Sequence, residues 1–210
     1  LKPIFDAAGA AGADEAQFLA NAIDTKNQGI DIVAGYKIAL SDKLNLDNTL
    51  AATFSETEIT SINVPSDISS AGLEGDFFDG QEEAFLTIAQ PRTKVNLTHN
   101  LSSEKWAVLL RNVYFGEVTD PDEFSGQARV AGASVNDNAV YGGKVVTDLT
   151  LTNNMNDNTS ITIGANNVFD VYPDENRPGS QSNASFPYSR RTSQFGFLGR
   201  YLFARINIEL

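Results

Sequence analysis

The strongest constraint on the fold of this chain is an alternation of apolar and polar residues that recurs along its length. In "GIDIVAGYKIAL", residues 29–40, the side chains of Ile30, Ile32 and Tyr36 fall on one parity, and those of Asp31 and Lys37 fall on the other. Such alternation predicts a β-strand with two different faces. Six further segments share the pattern: residues 46–55, 93–101, 106–116, 141–152, 160–170 and 195–210. The chain is therefore predicted to be all-β, with about seven long strands.

The segments between these strands differ in length in a regular way. Short polar turns at "SDK", "SSEK" and "NNMNDN" alternate with the long stretches 56–83, 119–138 and 171–192. In an antiparallel sheet this alternation places every long connection at the same end. Outer-membrane β-barrels have this asymmetry, with short turns on one side and long loops on the other. A soluble β-sandwich can also mix loop lengths and stays an alternative here.

The two parities of the strands suggest two different surroundings. One parity is uniformly apolar, as expected of strands that face lipid, whereas the other is rich in Asn, Thr and charged residues, as expected of a wet barrel lumen. In the last strand the outward parity comprises Ile208, Ile206, Ala204 and Leu202, with Arg200 at the far edge of the apolar band. The lumen-facing charges are Lys37, Lys94, Asp148, Arg205 and Glu209. Aromatic residues predicted at the membrane interfaces are Tyr36, Trp106, Tyr114 and Phe197.

Composition excludes several classes of function. The formal net charge of -12 argues against a nucleic-acid partner, because such proteins neutralise phosphates with basic residues. The chain has no cysteine and a single histidine, His99, so neither a thiolate site nor a multi-histidine metal site can be built from it. No catalytic Ser-His-Asp set or phosphate-binding glycine loop is present. We therefore predict a protein that is not an enzyme, with no catalytic residues, metal ligands or cofactor.

Two segments near the end of the chain resemble a known family. The stretch "GANNVFDVYPDE", followed by "FPYSRRTSQFGFLGRYLFARINIEL", is similar to the C-terminal strands of TonB-dependent outer-membrane receptors. The resemblance continues upstream through "FLANAIDTKNQGIDIVAGYKIAL", "AFLTIAQPRTKVNLTHNL", "VYFGEVT" and "KVVTDLTLT". It implies an antiparallel transmembrane β-barrel segment, about seven strands of a roughly 22-stranded barrel. Residues 1–210 would be the C-terminal part of that barrel domain, without the plug domain.

The resemblance also implies a function and partners. Receptors of this family sit in the outer membrane of Gram-negative bacteria and use energy passed by TonB to import scarce nutrients. The implied partners are outer-membrane lipid, the TonB complex through an N-terminal part outside these residues, and a small-molecule or oligomeric nutrient. Leu210 departs from the Phe or Trp that usually ends such barrels. The alternatives are a passive porin-like or adhesin-like barrel and a soluble all-β carbohydrate-binding module.

Candidate ligand contacts lie in the long connections, which are the parts of such a receptor that meet substrate first. Residues 56–83 hold eight acidic and no basic residues, so they would disfavour anionic ligands. "TDPDEF" and "VNDN" cluster oxygen ligands without the spacing of a Ca²⁺ loop. His99 is expected at the membrane interface, and Asn166, Asn167, Phe169 and Asp170 are expected to end a strand. The substrate-binding candidates are Phe77, Phe78, Phe124, Tyr172 and Arg177.

Overall fold

The computed structural model of the chain describes residues 21–70, 72, 74–78, 80–120, 139–176, 187–189, 192 and 194–209. Seven of its strands form one antiparallel sheet in the order β1-β2-β3-β4-β7-β8-β9, and β5 (Val118–Asp120) and β6 (Ala139–Tyr141) form a separate two-stranded sheet. The predicted all-β antiparallel fold is confirmed. The strands of the main sheet are β1 (Ile23–Ser41), β2 (Leu44–Ile62), β3 (Thr93–Ser102), β4 (Trp106–Phe115), β7 (Lys144–Asn156), β8 (Thr159–Asn166) and β9 (Tyr201–Ile208).

The connections alternate in length as the sequence predicts. The short links 42–43, 103–105 and 157–158 lie together at one end of the sheet, which we call the short-turn end. The long links 63–92, 116–143 and 167–200 lie together at the opposite end, the long-loop end. Strands β1 and β9 are the two outermost strands of the sheet.

The pairing register joins the apolar parities of all seven strands into one continuous surface. One row runs from Ala34 through Leu50 and Leu97 and continues into the polar pair Asn112 and Thr147 of β4 and β7. This surface, the apolar face, is open: Ile30 and Ile206 each keep 64% of their surface exposed. The face comprises, among others, Ile32, Ala52, Val95, Leu101, Val108, Leu110, Val145, Leu149, Leu151, Ile161, Ile163, Leu202 and Ala204.

The opposite parity forms the polar face. Its middle carries Thr49, Thr98, Arg111 and Asp148 on four consecutive strands. Trp106 and Tyr114 lie on the apolar face at the two ends of β4, whereas Tyr36 lies inside β1, paired with Asn48. The different chemistry of the two faces follows from the two-residue period, because successive side chains of a strand point to opposite sides.

Several strands are longer or shorter than the sequence predicts. Strand β1 begins at Ile23, and β2 continues to Ile62, so residues 56–62 pair with β1 and do not belong to a loop. Strand β7 runs on to Asn156, whereas β9 begins at Tyr201 instead of residue 195. In the extension "ETEITSI" the only apolar residues are Ile59 and Ile62, which fall on opposite parities, so it shows no apolar face that would mark it as a strand. Backbone pairing with the neighbouring strand overrides that weak signal.

Regular structure at the long-loop end was not predicted. The described residues of the first long link form three helices, α1 (Ser66–Ser70), α2 (Glu74–Phe77) and α3 (Gly80–Thr87). The second link begins with β5 (Val118–Asp120) and ends with β6 (Ala139–Tyr141), which pair with each other. Val118, Ala139 and Tyr141 form a small buried cluster there.

Candidate functional site at the long-loop end

The last long link leaves the sheet through a turn that asparagine and aspartate build. Asn167 and Asp170 have positive φ angles of 52° and 58°, in the left-handed region that Asn and Asp tolerate better than most residues. The side chain of Asn167 closes the turn twice: its Nδ2 donates to the carbonyl of Val171 at 2.7 Å, and its Oδ1 accepts from the Val171 amide at 2.8 Å. This supports the structural role that the sequence predicts for this cluster.

The same turn is bonded to the sheet. The backbone amide of Asn167 donates to Oδ1 of Asp148 at 2.8 Å, and Arg111 donates to the other carboxylate oxygen from both Nε, at 2.9 Å, and Nη2, at 2.5 Å. Asp148 is 7% exposed, so its charge is almost fully enclosed by these donors. The orientation of the last link is thereby fixed by an ion pair on the polar face.

An aromatic stack follows the turn. The rings of Tyr172 and Tyr188 lie parallel with centroids 5.7 Å apart, and the ring of Phe197 lies 6.1 Å from Tyr188 on a nearly parallel plane. Tyr172 donates from its hydroxyl to Asp170 at 3.2 Å. Partial burial, followed by that bond to the Asp170 carboxylate, raises the pKa of Tyr172. The hydroxyl of Tyr172 therefore stays protonated over the whole physiological pH range.

A second group of contacts holds the short β5–β6 sheet against the last link. Asp174 accepts from Nζ of Lys144 at 2.5 Å and from the backbone amide of Gly142 at 2.6 Å. The Lys144 hydrogen bond is the main reason why the pKa of Asp174 is lowered. Tyr141 donates to Oδ1 of Asn176 at 2.8 Å, so both ends of the segment 174–176 are bonded to β6 or the residues after it.

Gln194, in the last link, is bonded to both ends of the second link. It is 6% exposed, and its Nε2 donates to the carbonyls of Gly116 at 2.6 Å and Gly142 at 2.9 Å. Within the described residues, Oε1 of Gln194 and Oγ1 of Thr192 are buried without a hydrogen-bond partner. Ser189 donates to Asp120 at 2.6 Å, which attaches the last link to the end of β5.

The first long link contacts this layer as well. The amide of Thr119 in β5 donates to the carbonyl of Ile88, just after α3, at 3.0 Å. Ile68 in α1 and Ala84 in α3 are buried. The three long links thus contribute to one folded layer over the long-loop end of the sheet.

The predicted ligand contacts are distributed over this layer. Phe77 and Phe78 are half-buried at the end of α2 and just after it, and Tyr172 belongs to the stack. Phe124 and Arg177 lie outside the described residues, as does most of "TDPDEF" and all of "VNDN".

The structure adds two further aromatic residues, Tyr188 and Phe197, to the predicted Tyr172. Tyr188 was missed, although an aromatic residue after Pro187 in a polar link is a signal that could have singled it out, and Phe197 was assigned to a membrane interface.

No helix among the described residues is both long and apolar enough to span a membrane. In the same part of the chain, no three His, Cys, Asp or Glu side chains come together in an arrangement that could hold a metal ion. The described side chains at the long-loop end include stacked aromatic rings, amides and carboxylates.

Comparison with known proteins gives a fold and no family. No protein-family model matches the chain, and no curated protein matches it. Among solved structures, it is similar to the pyoverdine outer-membrane receptor FpvA from Pseudomonas aeruginosa bound to pyoverdine, with a TM-score of 0.50 and 14% identity over 90% of this chain. A second structure of the ferripyoverdine receptor of that organism gives a TM-score of 0.46, 13% identity and 87% coverage of this chain.

A third similar structure is the ferric enterobactin receptor of Pseudomonas aeruginosa, with a TM-score of 0.45 and 16% identity over 85% of this chain. The chain spans about a fifth of the length of these receptors, 22%, 19% and 22% respectively. At such identities the likeness to the first structure concerns the fold alone. With the seven-stranded antiparallel sheet, it identifies the fold of this chain as that of a segment of an antiparallel β-barrel.

Proposed function

We propose that the chain is the C-terminal part of the barrel domain of a TonB-dependent outer-membrane receptor that imports a nutrient. In this proposal, seven strands belong to a barrel of about 22 strands. The plug domain and the segment that contacts TonB belong to another part of the same protein. The apolar face contacts outer-membrane lipid, the polar face lines the lumen, and the long-loop end faces the outside of the cell.

The observation that carries the proposal is the combination of one continuous apolar face with long connections at one end only. Large hydrophobic residues stay exposed on that face, including Ile208 at 65% and Leu202 at 70%. Monomeric soluble proteins rarely leave so large a contiguous apolar surface uncovered. A soluble carbohydrate-binding module would need a second layer over this face, so the open sheet favours the membrane assignment.

The passive porin-like or adhesin-like barrel shares this apolar face and loop asymmetry. The folded layer at the long-loop end favours a receptor, because it brings aromatic and polar groups together at that end of the sheet. Phe197 in the stack keeps 52% of its surface exposed, so one ring of the stack is accessible. Planar and ring-shaped ligands are recognised by such surfaces.

We infer that the ligand contacts the stack of Tyr172, Tyr188 and Phe197. The acidic first link lies in the same layer and favours cationic or neutral ligands over anionic ones. Iron chelates, cobalamin, oligosaccharides and peptides are the classes of nutrient to compare.

The test is ligand uptake by cells that carry the intact protein, with and without functional TonB. The proposal expects accumulation of one class from a panel of labelled iron chelates, cobalamin, oligosaccharides and peptides, and loss of that accumulation without TonB. Uptake that persists unchanged without TonB would identify a passive barrel. A protein that fractionates with the soluble proteins of the cell would contradict both membrane readings.

The ligand contact is tested with Tyr188→Ala and its matched control Phe169→Ala. Phe169 is an aromatic residue of the same link with 73% of its surface exposed, and it is not one of the three rings of the stack. Loss of one aromatic contact should weaken binding about three- to tenfold. Equal binding by both variants at equal amounts in the outer membrane would remove the stack from the ligand site.

A further inference from the structure

An open groove lies on the apolar face at the limit of that face towards the long-loop end. Its volume is about 540 Å³, and we call it the edge groove. Its lining is of two kinds, because the side chains of Ile30 and Phe54 are apolar and those of Glu56 and Arg92 are charged. Ile30 and Phe54 lie opposite each other in β1 and β2, and Arg92 is the last residue of the first link.

The edge groove lies at the boundary between the apolar face and a charged zone. On the parity of that face, β1 is apolar from Ile38 to Ile30, which spans about 20 Å in a tilted strand. The next residues of that parity are Gln28 and Lys26, and Lys26 lies opposite Glu58. An outer-membrane barrel presents an apolar band of about 25 Å. In the proposed membrane, the edge groove is therefore at the level of the lipid head groups.

The two charged side chains of the edge groove form a weak ion pair. Nη1 of Arg92 lies 3.4 Å from Oε1 of Glu56, and 48% and 53% of the two side chains are exposed. Nε of Arg92 donates to the carbonyl of Thr87 at 3.3 Å. Among the described residues these bonds use two of the five N–H donors of the guanidinium. Three donors of Arg92 and the second carboxylate oxygen of Glu56 are thus available to a ligand.

A zwitterionic head group matches this arrangement. Phosphate oxygens accept strong, paired hydrogen bonds from a guanidinium, and a primary ammonium donates to a carboxylate. The apolar lining suits the acyl chains of the same molecule, because Ile30 and Phe54 keep 64% and 43% of their surfaces exposed. One amphipathic molecule can therefore satisfy both kinds of lining.

We propose that the edge groove binds a membrane lipid whose head group combines a phosphate with a primary amine. The inference rests on the proposed function, which turns the apolar face towards lipid. The phosphate accepts from Arg92, and the ammonium donates to Glu56. The acyl chains extend from Ile30 and Phe54 along the apolar face.

The charges of the groove separate this lipid from two others. A lipid with a phosphate and no amine leaves the carboxylate of Glu56 beside a second negative charge. A lipid with a quaternary ammonium has the positive charge but no N–H, so it cannot donate a hydrogen bond to Glu56. The primary amine supplies both.

The test is native mass spectrometry of the intact protein, purified in detergent and mixed with one lipid at a time. The probes are phosphatidylethanolamine, phosphatidylglycerol and phosphatidylcholine at equal concentrations. Phosphatidylethanolamine should be retained about threefold more than either of the other two, as expected of one additional half-exposed charged contact.

Two variants assign the two halves of the head group. Arg92→Gln should lower the retention of phosphatidylethanolamine roughly tenfold, because it removes the bonds to the phosphate. Glu56→Gln keeps the size of the side chain and should abolish the preference for phosphatidylethanolamine over phosphatidylglycerol. This second result does not depend on whether Arg92→Gln disturbs the first link.

The matched control is Lys37→Gln. Lys37 lies 3.6 Å from Asp47 in the same pair of strands, but on the polar face, so this variant also removes the cation of an exposed ion pair. Its lipid retention should equal that of the parent. The proposal is overturned if the parent does not prefer phosphatidylethanolamine, if Glu56→Gln keeps the preference, or if Lys37→Gln lowers retention as much as Arg92→Gln.

Membrane fractionation of the same cells separates this result from the fate of the proposed function. A protein found in the outer membrane that shows no lipid preference overturns the lipid site and leaves the receptor in place. A protein found with the soluble proteins of the cell overturns the receptor, and the lipid site with it.

Discussion

The sheet and the folded layer at its long-loop end are specified in different ways. In the sheet, one rule applies to most positions of every strand: residues of one parity are mainly apolar and residues of the other are mainly polar. In the layer, single side chains such as Asn167, Asp174 and Gln194 each make several bonds that no neighbour duplicates. The sheet should therefore tolerate exchanges within a polarity class, whereas the layer should depend on individual residues.

The largest effect expected comes from breaking the polarity rule inside the sheet. Leu151 and Thr150 are neighbours in β7 and face opposite sides, Leu151 on the apolar face and Thr150 on the polar face. Leu151→Arg should lower the free energy of unfolding by about 2 to 4 kcal/mol, since it places a charge against hydrocarbon. The measurement is urea unfolding of the intact protein in lipid vesicles.

The matched control is Thr150→Arg, which carries the same charge one residue away. On the polar face the guanidinium stays in water, so we expect a change below about 1 kcal/mol. Equal losses from both variants would mean that the two faces do not differ in their surroundings, and the assignment of the apolar face to lipid would be wrong.

The next effect concerns the residue that joins the two regions. Asp148 belongs to the sheet, but its carboxylate binds both Arg111 and the amide of Asn167 in the last link. Asp148→Ala should lower the free energy of unfolding by about 2 to 3 kcal/mol, less than for a fully buried pair because 46% of the Arg111 side chain is exposed. The same urea titration measures it.

An exposed ion pair of the sheet provides the comparison. Lys37 and Asp47 are 3.6 Å apart, and 84% of the lysine side chain is exposed, so Asp47→Ala should cost less than about 1 kcal/mol. If Asp47→Ala and Asp148→Ala lowered the free energy of unfolding equally, the contacts of Asp148 between the sheet and the last link would stabilise the fold no more than an exposed ion pair does.

The same contrast explains what the sequence could predict. Alternation identified all seven strands of the main sheet, and the parities it assigned meet in register, as Leu50 and Leu97 do. A two-residue period can be recognised in the sequence because it is repeated several times within each strand. It failed at residues 56–62, where polar residues occupy both parities, and it placed the start of β9 six residues too early, at residue 195.

The candidate site was predictable only in part. Tyr172 was singled out as an aromatic residue in a long polar link, but nothing local to it indicates that Tyr188 lies on its ring. Contacts such as that between Gln194 and Gly116 join residues far apart in sequence, and their geometry depends on the folded links. Such contacts leave no periodic trace, so the layer had to be found in the structure.

A smaller loss of stability is expected from a substitution at Gly199, which tests whether the layer depends on individual residues. Gly199 has a φ of +71°, and a Cβ there would come within 2.7 Å of Oδ1 of Asp170 and also meet the hydroxyl of Tyr172. Gly199→Ala should therefore cost about 1 to 2 kcal/mol and disturb the aromatic stack. Thermal unfolding in detergent measures the stability.

Gly196 is the control, because a Cβ there meets nothing within 4 Å and its φ lies outside the left-handed region. Gly196→Ala should leave the melting temperature nearly unchanged. If both glycines accept alanine equally, the last link does not have the fixed geometry on which the stack depends.

The smallest effect is the pH dependence of the contact between β6 and the last link. The pKa of Asp174 is lowered in the folded protein, chiefly by Lys144, so its carboxylate stabilises the fold above the ordinary aspartate pKa of about 4. That contribution is lost as the pH falls below this value and through the folded pKa. Because 40% of the Asp174 side chain is exposed, this pH-dependent contribution to the free energy of unfolding should be well below 1 kcal/mol.

Hydrogen exchange of the Gly142 amide, which donates to Asp174, measures this contribution locally. Compared at each pH with Asp174→Asn, the parent should show extra protection near neutral pH that disappears in acid, and a difference that does not vary with pH would refute the role of the carboxylate charge.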